Sequence, residues 1–158
     1  MSIKKGKIGI LGIQGIVRAK GIKDGKVIWE DVRENVVCKA GLARLAKILA
    51  DEISDASINR CALGTGAGSA STNDTTLETE GYRNIPASKA SSNEKVLITA
   101  YYGLSEGSTT TYTEFGVFID GTDDADSGYL FNHLTGLSWA KDGSTEIQVD
   151  VEFTLQDV

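Results

Sequence analysis

The chain has 158 residues, 41% of them apolar and 24% charged, and carries a formal net charge of −6. That is the size and balance of one globular domain with its own core. The acidic excess argues against a protein that grips nucleic acid through its phosphates, and no apolar run has the length of a membrane-spanning helix.

The first residues are basic and glycine-rich, with Lys4, Lys5 and Lys7 followed by Gly6, Gly9, Gly12 and Gly15 at every third position. Without proline this is no collagen repeat. Glycines and Gln14 also break the run from Ile8 to Val17, so it makes a poor signal-peptide core. Residues 1–15 are read as an extended arm whose Ile8, Ile10, Ile13 and Ile16 are the candidate assembly positions, and residues 16–158 as a single domain. Asp24-Gly25 between two β-rich runs marks a hairpin, with Trp29 on its second strand packing on the core.

Asn35 to Gly66 contains the one stretch with helical periodicity, near residues 40–53. Leu42, Leu45, Leu49 and Ile53 recur at steps of three and four, which predicts an apolar stripe facing inward. Strands are expected at 57–63, 82–89, 95–102, 109–119 and 129–134, Pro86 placing the second of these at an edge. The closing strand alternates Ile147, Val149, Val151, Phe153 and Leu155 inward with polar residues outward. The whole predicts a mainly β protein, an antiparallel two-sheet β-sandwich of about eight strands with one α-helix packed on it.

No motif argues for chemistry. Gly103-Leu104-Ser105-Glu106-Gly107 matches the nucleophile-elbow pattern, with Asp120 and His133 later in the chain, but a strand follows where a helix is required. Gly64-Thr65-Gly66-Ala67-Gly68 lacks the lysine and the helix of a phosphate loop. Asp120, Thr122, Asp124 and Asp126 alternate like calcium ligands, yet Ala125 and Phe131 stand where an EF-hand has Gly and Glu. His133 has no second histidine, and Cys38 and Cys61, with no metal-ligand spacing, are expected to be buried reduced thiols. Glu114, inside an apolar strand, is expected to be bonded to backbone amides or to an arginine such as Arg83. No catalytic, cofactor-binding or metal-ligating residue is expected, and no enzyme.

The order of short motifs is more informative. Asn35-Val36-Val37 leads into Ala40-Gly41-Leu42, followed by Ala62-Leu63-Gly64-Thr65-Gly66, Asn73-Asp74-Thr75-Thr76-Leu77-Glu78, Arg83, and Thr113-Glu114-Phe115-Gly116-Val117-Phe118. This series resembles small structural proteins of tailed-bacteriophage virions and prophages, of tail, baseplate, fibre-associated or head-decoration type. The resemblance spans roughly Asn35 to Ile119, with Gly64, Gly66, Glu114 and Gly116 as its structural positions. It implies a non-enzymatic virion component, made in the cytoplasm of an infected bacterium. Other virion proteins are its implied partners, with assembly as a homo-oligomer, a trimer or ring, and neither nucleic acid nor membrane is. A receptor- or carbohydrate-binding module of the particle is the alternative, with Tyr101, Tyr102, Tyr129 and Trp139 as its candidate aromatics.

Overall fold

A computed structural model describes residues 11–157. The strands are β1 (Leu11–Lys23), β2 (Lys26–Glu34), β3 (Val36–Val37), β4 (Ile58–Gly64), β5 (Glu80–Asn84), β6 (Ser88–Ser92), β7 (Lys95–Tyr102), β8 (Thr110–Tyr112), β9 (Glu114–Ile119), β10 (Tyr129–Leu134), β11 (Trp139–Lys141) and β12 (Thr145–Asp157). The helix α1 spans Lys39–Leu49. One antiparallel sheet has the order β2-β1-β12-β7-β6, a second β3-β10-β9-β4-β5, and β8 pairs with β11. The two five-stranded sheets pack face to face, giving the mainly β sandwich that the alternating sequence calls for.

The long closing strand is central to the first sheet. Every residue of β1 from Leu11 to Lys23 is paired with β12, from Asp157 to Thr145. Ile147, Val149, Val151 and Phe153 are buried on its inner face, as their alternation requires. Asp24 and Gly25, with φ of 51° and 74°, make the two-residue turn to β2, the left-handed pair that matches strand twist. Trp29 then stacks on Trp139 at 6.0 Å, and Trp139 Nε1 donates to Asp31 Oδ2 at 2.9 Å. The pairing also corrects the arm boundary. Residues 11–15 belong to β1, so Ile13 and Ile16 are strand residues, Ile13 packing against the main core. Ile8 and Ile10 lie outside the described residues.

Strand count exceeds the sequence expectation because two expected runs divide and two short strands, β3 and β11, add to them. Pro86, which cannot donate to a ladder, separates β5 from β6, and these join different sheets. Thr113 interrupts β8 and β9 because its N–H donates to Gly64 O at 2.9 Å and its hydroxyl to Gly66 O at 2.7 Å. That break turns Tyr112 toward the same core as Phe115, Val117 and Ile119, whereas simple alternation places it on the opposite face.

A third layer covers the outer face of the second sheet. Helix α1 and residues 65–79 lie over it, enclosing a small second core of Cys38, Ala62, Leu77, Phe118 and Leu130. Strand β9 is therefore buried on both faces. Cys61 belongs to the main core and Cys38 to the second; burial pushes each thiol up to about 12 and neither is disulfide-bonded.

The helix differs from expectation in both extent and orientation. Asp51, at φ 57°, ends it: Asp51 N donates to Ile48 O and Glu52 N to Lys47 O, the pair of bonds of a Schellman cap. Ile53 is thus past the helix. The inward position is Gly41, the only buried residue of α1, while Leu42 and Leu49 are 39% and 78% exposed. A Cβ on Gly41 would stand 2.6 Å from Phe131 Cα and 3.0 Å from Leu130 O. The helix rests on the β10 backbone at this glycine, and Arg44, one turn on, reaches Asp120 at 2.8 Å. The expected inward stripe consequently points partly to solvent.

At the opposite end, Asp142 caps the turn into β12. Its Oδ1 accepts from the Ser144 N–H and hydroxyl and from the Thr145 hydroxyl, which hold its carboxyl down at about 2. A carboxyl depressed by folding contributes stability above its unfolded value near 4, and this is lost as pH falls through about 2. Asp142→Ala should unfold at lower urea than the parent at pH 7, with the gap closing between about pH 4 and pH 2. A gap unchanged at pH 2 would mean that the charged turn is not its source.

Candidate functional site

Residues 65–79 form a long connection between β4 and β5, a length at which an irregular segment has a use or specific restraints. Here the restraints converge on Glu114 of β9, which is fully buried. Glu114 Oε1 accepts from Glu78 N at 2.7 Å and Oε2 from Thr79 N at 3.2 Å. The backbone-amide partnership expected for Glu114 is therefore present. The arginine alternative is not, since Arg83 pairs with the buried Glu80 and lies over the Phe118 ring.

His133 of β10 stands between this carboxylate and a second one. Its Nδ1 is 2.7 Å from Asp74 Oδ2 and its Nε2 is 3.3 Å from Glu114 Oε1. Burial pushes the Asp74 carboxyl up, but the hydrogen bonds from His133 and the Ser71 amide and the His133 charge hold it below its ordinary value. An ionised Asp74 can only accept, so Nδ1 carries the proton. The sequence leaves His133 as an isolated packing or surface residue; the structure instead makes it a buried bridge to residues 59 and 19 positions away.

The rest of the segment is tied at both ends and in the middle. Thr65 N donates to Thr79 O, Gly68 N to the Glu78 carboxylate, and Lys39 N, the first amide of α1, to Thr72 O at 2.8 Å. Leu77 inserts into the second core. Gly64 and Gly66 allow the closest approach: a Cβ on Gly66 would be 1.9 Å from Glu114 Oε2, and one on Gly64 2.5 Å from Thr79 O. Gly116 meets Asn132 O and Leu77 in the same way. Gly64, Gly66, Glu114 and Gly116 thus belong to one buried buckle. Asp74, Leu77, Glu78 and Gly41 complete it; the motif series of the sequence includes all four, but assigns none of them a site role. Besides that series, a carboxylate in an apolar strand is the signal that points there.

Chemically the buckle is closed. Both ring nitrogens of His133 face carboxylates, and among the described residues no hydroxyl or thiol is hydrogen-bonded to it. A polar cleft of about 380 Å³ borders it, lined by Asn73, Asp74, Thr75, Glu78 and His133 among others. The Asp74, Glu78 and His133 side chains there are already engaged in hydrogen bonds.

The other sequence candidates stay apart. Ser105 lies in an exposed turn closed by Glu106, while Asp120 bonds Arg44 and the Ser57 amide, so neither meets His133. The 120–127 loop is tied by Arg44, Arg60, Arg83 and Asn59. Among the described residues, no group of three or more His, Cys, Asp or Glu side chains is placed to hold a metal ion. Tyr102 and Trp139 are in the core, and the more exposed Tyr101 and Tyr129 are on different sheets. Compared with known proteins, the chain matches no family model, no curated protein and no solved structure.

Proposed function

We propose that this chain is a non-enzymatic structural component of a bacteriophage particle, tail, baseplate or head-decoration in type. It acts by binding other virion proteins and copies of itself. The observation that supports the reading is the convergence of the motif series. Val36-Val37, Gly41, Ala62 to Gly66, Asp74 to Glu78 and Glu114 to Phe118 are scattered over some eighty residues. They meet where the third layer packs on the second sheet: Glu114 fastens the covering segment at Glu78 and Thr79, and Thr72 O ties that segment to the first amide of the helix. A domain whose buried polar groups are spent on fixing its own surface suits a building block.

The test is to raise antibody against the purified chain and label particles from a producing culture. The expected result is a constant position on intact particles and a copy number that is a multiple of the local particle symmetry. Recovery of the protein wholly outside the particle fraction would overturn the reading.

A further inference from the structure

We infer that Asp24 is a self-modification site, where the chain converts its Asp24-Gly25 linkage into an isoaspartyl linkage while the fold holds its other Asp-Gly pairs against the same reaction. The sequence has three such pairs, Asp24-Gly25, Asp120-Gly121 and Asp142-Gly143. Each sets a carboxyl carbon beside the amide of a residue with no side chain to hinder approach. The glycine nitrogen attacks Cγ of the aspartate. Its proton and the hydroxyl of the protonated carboxyl leave together as water, closing a succinimide ring. Water then adds back at either ring carbonyl. One opening restores aspartate; the other routes the main chain through Cβ and Cγ and leaves the α-carboxylate as the side group. The sum conserves mass and calls on nothing but water.

The fold separates the three pairs. Asp120 Oδ2 accepts from Arg44 Nε and Nη2 at 2.9 and 2.8 Å, and its Oδ1 from Ser57 N at 3.2 Å. The amide that would attack it, Gly121 N, donates to Asn59 Oδ1 at 2.7 Å, and Gly121 is buried. Electrophile and nucleophile are both tied. At Asp142, the Ser144 amide and hydroxyl and the Thr145 hydroxyl hold Oδ1 at 2.8 Å each. These bonds keep the carboxyl down at about 2, so the protonated form that can release water is scarce.

Among the described residues, no such set of donors holds the Asp24 carboxylate. Asp24 and Gly25 are both exposed, and a Cβ on Gly25 would meet nothing within 4 Å. The tip is closed by the Lys23–Lys26 pairing, and openings of this kind lie at the low end of local unfolding free energies. Asp24 also sits at φ 51°, a left-handed conformation that an L residue adopts here only because the closed turn demands it.

The product bears on the sheet edge. An isoaspartyl linkage adds a methylene to the main chain of a two-residue turn, and the length of that turn sets the β1–β2 register. Strand β2 is an edge strand bonded to β1 alone. It carries Trp29, stacked on Trp139, and Asp31, which accepts from Trp139 Nε1. The lengthened turn loosens this edge first. The inference is independent of the virion reading.

The full folded chain, aged in mildly acidic buffer at physiological temperature, tests it. Endoproteinase Asp-N cuts before aspartate but not before isoaspartate, so one digest reads all three sites; methyl transfer by protein isoaspartyl methyltransferase counts the product. The cut before Asp24 should be lost at least about tenfold faster than those before Asp120 and Asp142, with methyl acceptance rising in step. In urea, with the restraints gone, the three rates should converge. Asp24→Glu, whose longer side chain disfavours ring closure, should remove most of the methyl acceptance of the folded chain. Loss at Asp120 or Asp142 as fast as at Asp24 overturns the inference. So does a preference for Asp24 that persists undiminished in urea, which assigns it to flanking residues. An Asp24 still intact in the folded chain when the unfolded chain has converted overturns it equally.

Discussion

Glu114→Ala should cost about 3–5 kcal/mol, because it leaves two buried amides without their acceptor. The side chain has no solvent to fall back on, and both its oxygens are already used by Glu78 N, Thr79 N and His133. A urea midpoint lowered by about 2 M is the expected readout for a domain of this size. Glu114→Gln should lose roughly half as much, since its carbonyl keeps one amide while its NH₂ faces the other. Hydrogen exchange then locates the damage. The Glu78 and Thr79 amides should lose protection first, and those of β12, remote from the buckle, should keep theirs under mild conditions. A stability within about 0.5 kcal/mol of the parent's, roughly the scatter of surface substitutions, would mean that the 65–79 segment is held elsewhere.

The same buckle shows what a sequence can and cannot disclose. Patterns that are local in the chain were readable. Asp24-Gly25 marks the β1–β2 hairpin through the φ values it permits, and the alternation of Ile147 to Phe153 assigns the inner face of β12 without knowledge of its partners. Glu114 was conspicuous because an ionisable group in an apolar strand needs an explanation. Its partners were not readable. Asp74 and His133 meet across 59 residues, brought together by strand order and by a covering segment that has no periodicity of its own. Thr113 was another such case, a strand residue by pattern whose hydrogen bonds to Gly64 and Gly66 split the strand. Tertiary contacts override the local pattern at these positions, and they are the positions that hold the third layer in place.

Gly41→Ala sets helix propensity against packing, and packing should win. Alanine in a helix is worth up to about 1 kcal/mol over glycine, less in the first turn, where Gly41 sits. The new methyl would meet Phe131 Cδ2 at 2.5 Å, Phe131 Cα at 2.6 Å and Leu130 O at 3.0 Å. The aromatic ring can turn aside, but the two backbone atoms belong to a central region of the second sheet and cannot. The helix must lift, loosening Arg44 from Asp120 and Lys39 N from Thr72 O. Overpacking of this kind costs about 1–3 kcal/mol, so the melting temperature should fall by roughly 3–8 °C. Leu49→Ala supplies the contrast. If the leucine stripe faced the core, the loss would be about 2–5 kcal/mol; with Leu49 exposed, the change should stay within about 0.5 kcal/mol. A Gly41→Ala protein more stable than its parent, together with a Leu49→Ala protein that melts early, would place the helix the other way round. It would remove the close approach at Phe131.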